Sequence, residues 1–376
     1  MTRTTRWIER VTAEVYRIPT DTPEADGTLE WDSTTMVLVR AASGGVEGIG
    51  WTYAAPACKS IIDSTLADLV EGLDVTAVPR ATAAMVRSCR NMGGPGVVAC
   101  AVSAVDIALW DLKARLLDVS LADLFGRARE SVPVYGSGGF TTYGDQETEA
   151  QLRTWVHQWQ VPRVKIKIGE HDGTAAERDL HRVALARKVI GPDVELYVDA
   201  NGGYTRKQAV RQGRAMAEFD VRWFEEPVSS DDLVGLRAVR DQCEADVAAG
   251  EYGYTPAYFA RMITAEAVDC LQADATRCGG YTGWLAAAHV AGAHQLEISA
   301  HCAPNLHAPV AISVPNLRHV EYFHDHYRIE EQLFEGGLAP DGGVLVPRAD
   351  SPGHGMRLRH AAARAFQVAG PRCPTE

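Results

Sequence analysis

Seven ionisable residues recur along the second half of the chain: Lys167, Asp199, Glu225, Glu251, Asp274, His301 and Glu321. The steps between them are 32, 26, 26, 23, 27 and 20 residues, each close to one strand plus one helix. Asp199, Glu225 and Glu251 are three successive carboxylates. Brought together, they repel and raise each other's pKa unless a cation lies among them. Oxygen ligands with no Cys or His beside them favour Mg²⁺. The bland alternative, three unrelated surface acids, fits a single position better than three at one-unit spacing.

The chain has six lysines, and two of them, Lys165 and Lys167, stand two apart in Val164-Lys-Ile-Lys-Ile168. Period two puts both lysines on one face and the aliphatic residues on the other. Buried ammonium groups need partners. Nearby carboxylates could simply satisfy them. Alternatively, two crowded cations lower each other's pKa, which predicts that one can act as a base. His301 directly follows an apolar run, and Asp274 one unit earlier predicts a carboxylate on its second ring nitrogen. That dyad is a general acid/base; His307, His319, His324 and His326 lack such a neighbour. Glu321 reads either as a protonated acid donating to developing charge or as a core carboxylate paired with lysine.

The elements that carry these groups alternate. Apolar runs at Val132–Gly136, Val164–Ile168, Glu195–Val198, Val221–Phe224, Val247–Ala249, Asp269–Ala273, Glu297–Ala300 and Val320–Phe323 read as strands. Amphipathic segments such as Thr174–Val189 and Thr205–Phe219 lie between them. Eight strands with intervening helices predict a (β/α)8-type barrel, a fold of ~250 residues with its chemistry at the strand C-termini. An open doubly wound sheet lacks its GxGxxG signature here. Strands two and seven oppose each other in such a ring, so Lys167 and His301 face each other across the mouth with the metal between. That arrangement suits a substrate carboxylate: metal and Lys165 take up charge on its oxygens, and either base removes the α-proton to give an enediolate.

Ahead of the barrel, residues 1–60 read as strands and loops, and Ile61–Leu124 as helical. The polar stretch 19–33 reads as a long loop. The chain has 376 residues, 46% hydrophobic and 23% charged, with 37 Lys+Arg against 49 Asp+Glu, a formal net charge of −12. That charge argues against general nucleic-acid or anionic-membrane partners. No run reaches the ~18 apolar residues of a membrane span, and the first residues do not resemble a secretory signal. Eight scattered cysteines without CxxC read as reduced thiols of a cytoplasmic protein.

These residues resemble the enolase superfamily, specifically the mandelate racemase subgroup. The matching pieces are Val164-Lys-Ile-Lys-Ile-Gly169, Val198-Asp-Ala-Asn201, Phe224-Glu-Glu-Pro227, Gly250-Glu251, Asp274-Ala-Thr-Arg-Cys-Gly-Gly280, Ser299-Ala-His301, His319-Val-Glu321 and the helix beginning Val105-Asp-Ile-Ala-Leu-Trp-Asp. The resemblance implies one Mg²⁺ on Asp199, Glu225 and Glu251, with Lys167 and the His301–Asp274 dyad as bases. Lys165 and Asn201 would touch the substrate carboxylate and Glu321 would be the electrophilic acid. It implies an α+β capping domain from residues 1–128, a barrel from 129–343, and a tail, 344–376, that completes the cap. Cap loops at 19–33 and 51–56, with Trp51 and Tyr53 as substrate contacts, would choose the substrate. The muconate-lactonizing branch carries a lysine base on strand six; Arg277 stands near that place here, and Arg is no base at neutral pH. The implied activity is dehydration of an acid sugar, an aldonate or aldarate, to a 2-keto-3-deoxy acid, and the polar residues Tyr252, His307 and Tyr322 near the mouth suit such a substrate. The alternatives are a racemase or epimerase using both bases, and a noncatalytic barrel, which the filled positions disfavour. The implied assembly is a homodimer or octamer.

Overall fold

The computed structural model describes residues 6–368; Cys373 and the end of the tail lie outside them. The eight expected strands form a closed parallel ring: β4 (Val132–Gly138), β5 (Arg163–Lys167), β6 (Glu195–Asp199), β7 (Val221–Glu225), β8 (Asp246–Ala249), β9 (Cys270–Ala273), β10 (Glu297–Ala300) and β11 (Leu317–Phe323). β11 closes on β4 through Val320↔Val134 to Phe323↔Ser137. Helices follow the strands and pack their apolar faces on the outward Val164, Ile166, Leu196, Val198 and Ile298 in one continuous core. Inward-facing Tyr135, Tyr197, Trp223, Ala248 and Cys270 pack together and plug the barrel below the site.

Before the barrel, β1 (Arg10–Ala25), β2 (Glu30–Ser43) and β3 (Val46–Tyr53) form an antiparallel sheet. The helix Val97–Leu116 lies across it over a second apolar core. β3 can approach that helix only because it carries glycines: a Cβ at Gly50 would stand 2.4 Å from the Ala108 nitrogen.

The stretch 19–33 is not a loop. After an irregularity between Pro19 and Glu24, pairing resumes at Glu24↔Trp31 and Ala25↔Glu30, so β1 and β2 extend into a hairpin. Only residues 26–29 turn, with Asp26 Oδ1 accepting from the Thr28 and Leu29 amides at 2.6 and 2.8 Å. Polar composition suggested a loop because this ribbon faces a polar cavity rather than a core. The hairpin is tied to the barrel by Thr141 N to Ala25 O and Asp172 N to Gly27 O, at 2.8 and 2.9 Å.

The tail straddles both parts instead of simply completing the cap. Val344–Leu345 pairs antiparallel with β4, Arg357–Leu358 pairs with Phe334–Glu335, and Gln367 bridges to Tyr16 on β1. Among the described residues no helix is long and apolar enough to cross a membrane.

Candidate active site

Period two on β5 places Lys165 and Lys167 inside the ring while Val164 and Ile166 join the outer core. Lys165 Nζ is fully buried, 2.7 Å from Glu225 Oε2, 2.8 Å from Glu321 Oε1 and 3.6 Å from Asp199 Oδ2. Lys167 Nζ donates to Asp199 Oδ2 at 2.5 Å. Burial alone would depress both ammonium groups, but these ion pairs override it and hold both pKa values above the ordinary range. The expectation that crowding frees a lysine as a base therefore fails for this state. The carboxylates outweigh the second ammonium.

Asp199, Glu225 and Glu251 end or follow β6, β7 and β8, and one oxygen of each lies within 4.8 Å of the others. Gly250 sets the last of them. Its φ is +138°, and a Cβ there would meet the Gln272 carbonyl oxygen at 1.9 Å, so only glycine lets the chain turn Glu251 inward. Burial, then the neighbouring Asp199 charge, raises the Glu225 pKa to about 7. Glu251 Oε2 is buried without a hydrogen bond. Three buried hard oxygen donors, one of them met only by an ion-pair contact from His301 Nε2 at 3.2 Å, fit a divalent cation of the Mg²⁺ type.

His301 follows β10. Its Nδ1 lies 2.8 Å from Asp274 Oδ2, and its Nε2 lies 3.2 Å from both Glu251 Oε2 and Cys302 Sγ. Burial would lower the imidazole pKa, but Cys302, then Glu251 and Asp274, hold it well above the usual value. Asp274, despite burial, is pulled below the carboxylate range by His301 and Arg277. The dyad thus sits as imidazolium and carboxylate.

Glu321 accepts from Ser137 Oγ at 2.6 Å and from the Cys302 amide at 2.9 Å, besides its Lys165 contact. Burial would raise it, but Lys165 holds it below the ordinary range. Of the two readings, the lysine-paired carboxylate describes this state, and the acid that donates does not. Asn201 has φ +45°, and its Oδ1 is buried without a partner.

Above these groups lies a cavity of about 330 Å³. Lys167, Asn201, Glu251, Arg277, His301 and Cys302 line its barrel side, and Asp26, Leu29, Trp31, Ser33 and Thr34 of the hairpin line its cap side.

Two sequence profiles decide the family. The one described as "Enolase C-terminal domain-like" matches residues 147–362, and "Mandelate racemase / muconate lactonizing enzyme, N-terminal domain" matches 11–126. The chain belongs to the mandelate racemase/muconate lactonizing family of the enolase superfamily. A 3,6-anhydro-α-L-galactonate cycloisomerase of Streptomyces coelicolor is 32% identical, covering 93% of this chain and 97% of that protein. A mandelate racemase/muconate lactonizing enzyme-like protein from Rubrobacter xylanophilus superposes with TM-score 0.93 at 48% identity, covering 96% of this chain and all of that one. L-talarate/galactarate dehydratase of Salmonella typhimurium, crystallised with Mg and L-lyxarohydroxamate, gives TM-score 0.88 at 26% identity, covering 97% of this chain and 94% of that one. Curated relatives thus include acid-sugar dehydratases and cycloisomerases.

Within this family member, not every residue singled out from sequence reaches the cavity. Trp51 does not contact it. The ring is fully buried, stacked on Phe334 at 4.5 Å and edge-on to His354; it shares a face of β3 with Tyr53, two residues on, but packs in the core rather than at the cavity. Tyr53 does line the cavity, stacked on His326 at 3.6 Å with its hydroxyl 3.2 Å from Glu330. Tyr252 lines it too, but His307 lies beneath, accepting the Ala275 amide, and Tyr322 donates to the Leu338 carbonyl elsewhere. Four residues of the site went unassigned. Arg277 pairs with Glu251 at 3.2 Å and with Asp274 at 3.5 Å. Cys302 and His326 line the wall, and Glu226 is buried with Oε1 unpartnered. The doubled acid in Glu225-Glu226 was the one available signal for Glu226; His326 had none, since it lies on a helix beyond β11.

Proposed function

We propose that this chain removes the proton α to the carboxylate of an acid sugar through an enediolate and expels the β-hydroxyl to give a 2-keto-3-deoxy acid, with one Mg²⁺ held by Asp199, Glu225 and Glu251. The observation that carries the reading is a single cavity lined by Lys167, His301 and Glu251, with Asp274 directly behind His301. Held by Asp199, Glu225 and Glu251, Mg²⁺ would supply positive charge to the substrate's carboxylate oxygens. Lys165, its charge fixed by Glu225 and Glu321, lies buried behind the cavity wall and adds positive charge at the carboxylate end of the site. Asn201 offers its side-chain amide. Lys167, an ammonium while it is paired with Asp199, would first give a proton to solvent as that pair is broken, and the neutral amine then takes the α-proton. His301, already protonated and oriented by Asp274, gives its proton to the leaving hydroxyl. The cap hairpin excludes water from the charged intermediate.

A second reading, racemisation or epimerisation of a 2-hydroxy acid, rests on the same two groups acting as opposed bases on one carbon. Ring closure or opening, as the name of the Streptomyces relative describes, uses the same proton transfer. Homodimeric or octameric assembly and a cytoplasmic location belong to the same proposal. The magnesium-loaded protein should be incubated in D₂O with a panel of acid sugars, followed by assay for 2-keto-3-deoxy product. Product supports dehydration. Exchange or inversion without product replaces it with the isomerase reading.

A further inference from the structure

We propose that this site selects aldonates, sugar acids with a single carboxylate, and rejects the corresponding aldarates, which carry a second carboxylate at the far end. The inference rests on the acid-sugar reading above and narrows its substrate class. A substrate whose first carboxylate lies by Lys165 and the metal ligands must place its far end along the hairpin and the helix His324–Leu333 that follows β11. Every fixed charge facing the cavity from that side is negative. Asp26, at the hairpin turn, spends Oδ1 on the Thr28 and Leu29 amides and leaves Oδ2 without a partner among the described residues. Asp325 lines the same wall, 1% exposed, taking the Thr34 hydroxyl on Oδ2 and Arg328 on Oδ1. Behind them stand Glu24, fully buried, and Asp21.

Three basic residues face these four carboxyl groups: His324, 3.4 Å from Asp21 and with its pKa lowered by burial, Lys167, which acts on Asp26 but is paired with Asp199, and Arg328, which is already shared. Arg328 contacts Asp325 at 2.5 Å and Asp21 at 3.5 Å and does not line the cavity. The remaining basic residues of the wall are committed. Lys167 is paired with Asp199, Arg277 with Glu251 and Asp274, and His301 with Asp274. His326 accepts the Ala303 amide on Nδ1, and burial holds its pKa down at about 3, so it is neutral. Glu24 registers the local potential: burial and then the Asp325 charge raise its pKa to about 9.

Asp26 Oδ2, together with Ser33, Thr35 and neutral His326, is a partner for sugar hydroxyls. A terminal carboxylate has no proton to give them, and its negative charge would be desolvated beside two others. Discrimination then comes from repulsion as much as from attraction.

The test uses the magnesium-loaded protein and configurationally matched pairs, such as gluconate with glucarate and galactonate with galactarate. Keto-acid formation is followed in parallel with calorimetric binding. The aldonate of the best pair is expected to exceed its aldarate by about 100-fold in kcat/KM and to bind more tightly. In Asp26→Asn the gap should shrink about tenfold, since one repelling charge is gone. An aldarate turned over as well as its aldonate overturns the inference and leaves dehydration standing; that is the outcome if Arg277 captures a distal carboxylate. No product and no α-deuterium exchange with any acid removes the dehydration reading itself, and this inference with it.

Discussion

Lys167 and His301 are drawn toward opposite ends of the same carboxylate cluster, the first to Asp199 and the second to Asp274 and Glu251. Without a cation on those carboxylates, both contacts favour the protonated form of each group. A cation on the three carboxylates would contest both the Lys167–Asp199 and the His301–Glu251 pairs but leave His301 its Asp274 partner, which favours Lys167 as the group that loses its proton first. Replacing Lys167 by Met should abolish α-deuterium exchange, while His301→Asn should retain measurable exchange and lose keto-acid product. Mass spectrometry of recovered substrate separates the two. Asp274→Asn should lower turnover by about 10²–10⁴-fold with little change in KM, because the histidine loses its orientation and charge partner. Glu225, raised to about 7 in the metal-free protein, is protonated below that pH. Mg²⁺ binding must then displace the proton, so affinity should climb about tenfold per pH unit up to roughly pH 7 and level off above. Calorimetry across pH 5.5–8.5 checks it; a flat profile contradicts the assignment of Glu225 as a ligand. At this scale the sequence was informative where spacing carries the signal. The three carboxylates, the two lysines and the His–Asp dyad all follow from one-unit intervals. The protonation states were not legible, because they depend on which oxygen each ammonium reaches. Trp51 was misplaced because the face of β3 that it shares with Tyr53 runs from the cavity edge into the core, and alternation does not show where along the strand that change comes.

Barrel strands could be read because each is a short apolar run ended by an ionisable residue. The cap hairpin could not. Its residues pair as strands while their side chains face a polar cavity, so composition suggested an open loop. Glu24 is the feature of that hairpin with a measurable consequence. Its folded-state pKa of about 9 exceeds the model-compound value of 4.5. Between those values the folded chain holds a proton that the unfolded chain releases. The associated stability is complete below about pH 4.5 and is lost as pH rises through about 9. Thermal unfolding should therefore show the wild-type midpoint falling relative to Glu24→Gln between pH 6 and 9.5, with the variant the more stable at the alkaline end. A parallel pH dependence of the two proteins would show that Glu24 is not the proton acceptor. The same hairpin supplies Asp26, which with Asp325 of the helix after β11 forms the acidic wall of the proposed selection.

Across the molecule, the net charge of −12 gains a partial account. Three carboxylates are placed for a cation, Asp274 and Glu321 are tied to His301 and Lys165, and four more acids crowd the cap side of the cavity. Because the cation binds the folded chain, it should stabilise it. At Mg²⁺ near 100 times its Kd the stabilisation is about 2.7 kcal/mol, a rise of a few degrees in Tm that chelator reverses and Glu225→Gln abolishes. The central claim is proton abstraction from the carbon next to a carboxylate, completed by loss of the β-hydroxyl. It is tested most directly by incubating magnesium-loaded protein with an aldonate panel in D₂O and following substrate and product by NMR. The account predicts a 2-keto-3-deoxy acid from at least one aldonate, lost in both Lys167→Met and His301→Asn. Aldonates recovered unchanged, with neither deuterium at the α-carbon nor keto acid, would contradict it.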